Sequence, residues 1–192
     1  VGKSNQSNAS GSLTLGNTHS LSVGSSVAGS VEVGVRNSGS GGGTHTNTVS
    51  GTISLGAGST TSFGSDSTRA SLKIGSNNGQ RGSALIAEGA VTGASGSAFS
   101  AYLSSLVIGE QLQTAAGKTY RATGVMDLRE TTVTAFDVSG NVTIGFHNGS
   151  GEGSQGELRL PEVSGIIGGN LTVGDAEVGG GAHQQPTHLA AR

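Results

Sequence analysis

One four-residue pattern recurs along the chain: an aliphatic residue, any residue, a second aliphatic residue and a glycine. Alternation with a period of two places both aliphatic side chains on the same face of a β-strand. Glycine then ends the strand, where the chain must bend or adopt a positive φ. The pattern therefore predicts many short strands that each bury one face. Its eight copies begin at Leu13, Leu21, Val31, Ile53, Leu72, Leu106, Val142 and Leu171.

A second pattern precedes two of the later copies and indicates a longer repeat. Gly124-Val125-Met126-Asp127-Leu128 and Gly156-Glu157-Leu158-Arg159-Leu160 lie 32 residues apart. A repeat of this length is typical of solenoids, propellers and helical arrays. The unit holds two or three strands, whereas a propeller blade needs four.

We therefore predict an all-β fold, a parallel β-helix (β-solenoid) with ragged coils of about 20–36 residues and turns rich in Gly, Ser and Asn. Stacked coils would place the aliphatic residues in continuous interior ladders. The repeat predicts that the solenoid covers residues 13–174, between a flexible N-terminal segment at 1–12 and a flexible C-terminal tail at 175–192. One stretch departs from the pattern: Ala98, Tyr102 and Leu106 recur every four residues, which predicts a short helix or an insertion over 97–106.

Composition and charge exclude several other classes of protein. The chain is 32% hydrophobic with a net charge of -2, which is unlike a disordered chain of low hydrophobicity and high charge. The 36 glycines argue against helices, because each costs about 1 kcal/mol relative to alanine. No cysteine is present for disulfides or thiolate metal sites. We expect no nucleic-acid partner without a basic surface, and no membrane span without about 18 consecutive apolar residues.

Four carboxylates are the candidates for enzymatic chemistry: Glu130, Asp137, Glu157 and Glu162. They are close enough in sequence to share a face of adjacent coils, and sugar-cleaving β-helix enzymes need clustered acids. The signatures Asn-Thr-Asp, Asp-Asp and Gly-His-Gly of polygalacturonase-type enzymes are absent from the chain. Solvated surface charge is the simpler interpretation, so we predict no catalytic residue, no cofactor and no enzyme.

Other polar and aromatic residues also favour structural interpretations. Thr44-His45-Thr46-Asn47-Thr48 alternates threonine as ice-binding β-helices do, but a single row favours a polar turn or a strand edge. His183 and His188 lie in the predicted tail, and we assign no metal site to them or to His19, His45 and His147. Phe99, Tyr102 and Phe136 are interpreted as core or ladder aromatics and not as a ligand-binding platform. Five Asn-x-Ser/Thr sequons are candidate N-glycosylation sites, at Asn5, Asn8, Asn141, Asn148 and Asn170.

The succession of these motifs resembles secreted β-helix proteins. An aliphatic-x-aliphatic-Gly strand, a Gly/Ser/Asn loop and a Gly-x-Leu-x-Leu segment follow one another between residues 11 and 174. The nearest similar families are autotransporter passengers and filamentous-haemagglutinin-type adhesins. The resemblance implies a stalk or fibre that is extracellular or lies at the cell surface.

We therefore expect an extracellular structural protein that associates with itself. A solenoid has two open ends, and we identify no capping element at either end of the sequence. The hypothesis is that copies stack end to end into a filament, a sheath or a surface layer. Two alternatives stay open: an adhesin or carbohydrate-binding β-helix module with glycans as partners, and a β-helix polysaccharide lyase or hydrolase.

Overall fold

The computed structural model describes residues 1–4, 8–37, 46–79, 84–113, 119–148, 153–162, 165–174 and 176–177. This part of the chain forms strands and turns and contains no helix that could cross a membrane. The strands are β1 (Lys3–Ser4), β2 (Ala9–Leu15), β3 (Ser20–Val23), β4 (Ser30–Arg36), β5 (Thr46–Leu55), β6 (Thr60–Phe63), β7 (Ala70–Asn77), β8 (Ala84–Gly93), β9 (Ala98–Gln111), β10 (Thr119–Asp127), β11 (Thr132–Val138), β12 (Val142–Asn148), β13 (Gly153–Arg159), β14 (Ile166–Ile167), β15 (Leu171–Val173) and β16 (Ala176–Glu177).

The strands stack in parallel on three faces. The first face is a separate five-stranded sheet; the second and third faces belong to one sheet, joined through the long strand β9. The result is a parallel β-solenoid of about four turns, which confirms the predicted fold class. In stacking order, the first face contains β2, β5, β8, β10 and β13; the second contains β3, β6, residues 98–103 of β9, β11 and β14; the third contains β1, β4, β7, residues 105–111 of β9, β12, and β15 with β16.

The turns differ in length although the strands stay in register. Successive partners on the first face are Ala9, Val49, Ala87, Ala122 and Ser154, so one turn shortens from 40 to 32 residues along the solenoid. The first two turns are therefore longer than the 20–36 residues that the sequence predicts for a coil. The change is absorbed in the segments between strands, because a loop that projects outward can vary without disturbing the stacked core. This explains the ragged spacing of the sequence repeat.

The aliphatic residues of the repeat line the interior, as predicted. Leu72, Leu106 and Val142 are register partners on the third face and are all buried. Phe63 and Phe99 meet edge to face inside the same cluster, with their ring centroids 5.4 Å apart. Each turn contributes too few apolar side chains for a core of its own, so stability depends on stacking.

The three aromatic residues that the sequence assigned to the core do not all lie there. Phe99 and Phe136 are buried in the apolar cluster, as predicted. Tyr102 is only partly buried and lies beneath the guanidinium of Arg69, so it lies outside the core. The reason is alternation along the strand: Ala101 and Leu103 point inward, and Tyr102 between them must point outward.

The prediction of a short helix or insertion over 97–106 is wrong: residues 98–106 lie in strand β9. Residues four apart share one face of a helix, but they also share one face of a strand, because four is a multiple of two. At Ser104 the register shifts by one residue relative to β7. The shift is a β-bulge that moves the buried set from Ala101 and Leu103 to Leu106 and Ile108.

Strands are also found outside residues 13–174. β1 and the first half of β2 lie in the stretch 1–12, where the sequence predicts flexibility, and both pair with neighbouring strands. β16 falls within the predicted tail at 175–192 and pairs with β12. Residues 178–192 lie outside the described residues.

Candidate assembly surfaces and a buried polar row

Two rows of glycines bring the main chains of the first and third faces into contact. A Cβ atom on Gly124 would lie 2.4 Å from the amide nitrogen of Gly109 and 2.4 Å from the carbonyl oxygen of Ile74. The glycines of the third face also have positive φ values between 61° and 71°. Only glycine fits both requirements. The rows are Gly51, Gly89, Gly124 and Gly156 on the first face and Gly34, Gly75, Gly109 and Gly145 on the third.

Beyond this contact, the third face has one inward position that is filled by a polar residue in each turn from β4 to β12. Arg36, Asn77, Gln111 and His147 are register partners on the third face, and we call them the polar row. The first three are at most 2% exposed. Each follows a third-face glycine by two residues, a spacing that is visible in the sequence but too short to predict a buried polar residue. Six buried apolar residues also lie outside the main cluster: Val35, Val49, Leu85, Ala87, Tyr120 and Ala122.

The members of the polar row differ in how fully they are hydrogen-bonded. The side-chain amide of Asn77 donates to the carbonyl oxygens of Leu85 (2.8 Å) and Arg121 (3.3 Å), and its oxygen accepts from the Gly79 amide (3.1 Å). By contrast, Arg36 Nε and Nη1, Gln111 Oε1 and His147 Nε2 are buried without a hydrogen-bond partner among the described residues. Unpaired buried polar atoms are costly.

Burial shifts the ionisation of the two basic members of the row. Desolvation lowers the pKa of Arg36 and the pKa of His147, because the charged form loses its hydration inside the solenoid. Burial also raises the pKa of Tyr120, which the charge of Arg36 opposes. The row therefore favours neutral imidazole at His147 and carries a desolvated guanidinium at Arg36.

We expect the free energy of unfolding to fall as the pH drops from about 7 to about 5. The unfolded chain protonates His147 near its ordinary pKa of about 6.5, whereas the folded chain does so only at lower pH, because burial lowers the pKa of His147. Full stability is present above the unfolded pKa. Urea unfolding at each pH would measure the effect. His147→Gln should flatten the dependence in this window and His19→Gln, on an exposed turn, should not; equal slopes in all three proteins would contradict the assignment.

The predicted acidic residues are not gathered on one face, and those on strands are paired with arginines. Asp137 lies on the second face and accepts two 3.0 Å hydrogen bonds from Arg69. Glu157 lies on the first face, paired with Arg159. Within the described residues, no group of three or more His, Asp or Glu side chains is placed to hold a metal ion. The other two candidates follow strands β10 and β13: Glu130 and Glu162.

An ion-pair cluster around Asp127 joins the last two turns on the first face. Asp127 contacts Arg129 at 2.8 Å and Arg159 at 2.9 Å. Hydrogen bonds, chiefly from Arg129 and less from Arg159, hold the pKa of Asp127 well below its usual range, although partial burial acts to raise it. A carboxylate held by two guanidinium groups is suited to linking turns and is poorly suited to accepting protons in catalysis.

Two of the predicted sequons use their asparagine side chains to link turns. Asn8 Oδ1 accepts from the Thr48 amide at 2.7 Å, and Asn141 Oδ1 accepts from the Asn170 amide at 3.0 Å. Asn148 ends strand β12 and Asn170 is exposed. Glycosylation at the five asparagines stays a prediction. Five of the residues singled out in the sequence lie outside the described residues: Asn5, Thr44, His45, His183 and His188.

The two ends of the solenoid are the candidate assembly surfaces. The N-terminal end surface consists of β1, β2 and β3, and the C-terminal end surface consists of β13, β14, β15 and β16. β2 is seven residues long without a charge or a proline, although edge strands are commonly protected by either. At the opposite end Ile166, Ile167 and Leu171 are 64%, 41% and 50% exposed.

Both ends present the same inward positions of the repeat. At the outermost first-face positions, Leu15 belongs to the core, and Leu13, Leu158 and Leu160 are partly buried and pack against it. Gly11 is the register partner of Gly51 and thus extends the first-face glycine row, which ends at Gly156. A second copy placed on the C-terminal end surface would therefore continue the ladder with Gly11–Leu15 over Gly156–Leu160. No family model, curated protein or solved structure matches the chain.

Proposed function

We propose that this protein is a subunit of an extracellular structural assembly, a filament, sheath or surface layer that forms by end-to-end stacking of solenoids. The observation that carries the proposal is the pair of matching end surfaces, because each presents an edge strand of the same sheet at the same position of the repeat. Contact between two different surfaces of one protein propagates and does not stop at a dimer unless the arrangement closes into a ring.

Stacking would join two copies by parallel β-augmentation. β13 of one copy would pair with β2 of the next, and β14 with β3, which satisfies the outward backbone groups of all four strands. Ile166 and Leu171, now exposed, would lose contact with water, which is favourable by about 25 cal/mol per Å² of apolar surface. A net charge of -2 opposes this association only weakly.

Electron microscopy and sedimentation velocity of the purified protein over a range of concentrations test the proposal. We expect unbranched filaments, and we expect Ile166→Asp combined with Leu171→Asp to abolish them, because buried carboxylates would face apolar surface. Val107→Asp is the matched control, since Val107 points outward from a middle turn of the third face. Discrete monomers at every concentration would overturn the proposal.

The two alternatives receive no comparable support. A glycan-binding face would need a stripe of exposed aromatic side chains, yet four of the six aromatic residues are buried. A polysaccharide-cleaving site would need clustered acids with proton-transfer freedom, whereas Asp127, Asp137 and Glu157 are held by arginines.

A further inference from the structure

Strand β1 lies on the third face, where each turn of the solenoid has an aliphatic residue followed by a glycine of positive φ. Lys3 pairs with Val35 and Ser4 with Arg36, so Val1-Gly2 lies beside Val33-Gly34. Gly2 has a φ of 60° and Gly34 a φ of 61°. A Cβ atom on Gly2 would lie 1.8 Å from the Ser50 carbonyl oxygen, as one on Gly34 would lie 1.8 Å from that of Glu88. This position therefore accepts an aliphatic residue followed by a glycine of positive φ.

The opposite end of the third face carries a strand with the same features. Leu171-Thr172-Val173-Gly174 pairs with Val142–Ile144, and Gly174 has a φ of 61°. Leu171 is half exposed at this end. Strands β1 and β15 thus lie at the first and last levels of the third face among the described strands. Each has its own copy of the aliphatic–glycine pair, Val1-Gly2 at β1 and Val173-Gly174 at β15.

Stacking of two copies makes these strands compete for one position. The first and second faces each have five levels, whereas the third has six, because β1 adds a level beyond β4. If β13 of one copy pairs with β2 of the next, β15 of the first copy reaches the place beside β4 that β1 of the second copy holds. Both strands cannot occupy it.

Insertion of a neighbour's β15 is coupled to two further strand pairings, β13 with β2 and β14 with β3, whereas β1 is held by its own contacts alone. Those contacts are main-chain hydrogen bonds from Gly34 to Val1 (2.9 Å) and from Val35 to Gly2 (3.1 Å), a hydrogen bond from the Val1 ammonium to the Glu32 carbonyl oxygen (2.7 Å), and a Lys3–Glu32 ion pair at the surface.

A neighbour's β15 would lie along β4 in the register that the third face repeats. Leu171–Gly174 would run beside Val31–Gly34, which places Leu171 against Val31 and Val173 against Val33. Both valines belong to the apolar core. In this register the apolar ladder continues from one copy into the next.

We infer that the position held by β1 is a strand-acceptor site whose ligand is Leu171–Gly174 of a second copy of this chain. Assembly displaces β1 and inserts the neighbour's strand in parallel beside β4. The inference rests on the proposed function, since it specifies the junction between stacked copies. It makes β1 a competitor of assembly that occupies the site in the free subunit.

A disulfide reporter tests the pairing directly, because the chain has no cysteine of its own. Glu32 and Thr172 occupy equivalent outward positions of the third-face repeat. In the inferred junction they would be neighbours on adjacent strands about 4.8 Å apart, within the range that a disulfide spans. Glu32→Cys with Thr172→Cys in one chain should give disulfide-linked multimers on a non-reducing gel after mild oxidation. Ser54→Cys with Thr172→Cys is the control, because Ser54 points outward on the first face, and it should give none.

Expulsion of β1 provides an independent arm. Gly2→Val cannot keep β1 in place, since its side chain would meet the Ser50 carbonyl oxygen. Losing the competing backbone hydrogen bonds should lower the concentration needed for assembly about fivefold to tenfold. Ser62→Val introduces the same residue at an outward position of a middle turn and should leave that concentration unchanged.

The outcomes separate this inference from the proposed function. Two results together would overturn the inference and leave end-to-end stacking intact. The Glu32→Cys, Thr172→Cys protein would form filaments without disulfide linkage, and Gly2→Val would assemble at the same concentration as the parent protein. Linked dimers without filaments would support the acceptor site and overturn the filament. Monomers in every variant, with no linkage, would overturn both.

Discussion

Replacing Gly124 with alanine is expected to destabilise the solenoid by at least about 3 kcal/mol, enough to unfold much of a marginally stable chain. The added Cβ would lie 2.4 Å from two main-chain atoms, Gly109 N and Ile74 O. Neither atom can move aside like the tip of a flexible side chain, so two faces of the solenoid would have to separate. The effect is steric, since Gly124 has no positive φ and alanine suits a strand at least as well as glycine does.

Urea unfolding followed by far-ultraviolet circular dichroism would measure the change for Gly124→Ala. Gly165→Ala is the matched control, because a Cβ there would lie 3.4 Å from Phe136 O, an ordinary contact, and Gly165 likewise has no positive φ. We expect the control to unfold close to the parent midpoint. Equal midpoints for Gly124→Ala and the parent would show that the two faces do not touch through their glycines.

Replacing Arg36 with methionine is expected to raise the free energy of unfolding by about 1–4 kcal/mol, a direction opposite to that of most core substitutions. Arg36 is 2% exposed, and in the part of the chain that the structure describes its Nε and Nη1 atoms have no hydrogen-bond partner. No carboxylate contributes to the shift of its pKa, which burial lowers. Methionine has a similar length and flexibility and can fill the space beside Gly79 without a buried charge.

Thermal unfolding of Arg36→Met at several salt concentrations would test this prediction. Lys73→Met, which removes a side chain that is 40% exposed, controls for the loss of one positive charge and should change stability little. A loss of stability in Arg36→Met would contradict the expectation. It would mean that the N–H groups of Arg36 gain more from a bound anion or water than burial costs them.

The strands could be predicted because the local pattern has one interpretation. In Leu72-Lys73-Ile74-Gly75 the alternation places Leu72 and Ile74 inside, and the glycine that follows them has a positive φ, as expected. The same reasoning failed at Ala98, Tyr102 and Leu106, where a spacing of four fits a helix and a strand equally. Only the stacking partners β6, β7, β11 and β12 decide the matter, since they hydrogen-bond along β9.

The candidate surfaces could be predicted from the sequence less completely than the fold. The sequence indicated open ends, but it could not show that Val1-Gly2 repeats the strand end of a turn, because two residues carry too little pattern. Asp137 and Glu157 were candidates for a shared site by proximity in sequence. The register instead places Asp137 on the second face beside Arg69 and Glu157 on the first face beside Arg159, where each carboxylate is paired.

The local pattern is sufficient to show that this chain buries short alternating strands and must stack them, because no unit holds enough apolar residues for a separate core. It does not show which copies of the pattern share a face. Face and register depend on the lengths of the loops and on main-chain contact between the glycine rows, and four residues contain neither. The copies at Val31, Leu72, Leu106, Val142 and Leu171 form the third face, while those at Leu13 and Ile53 lie on the first and that at Leu21 on the second.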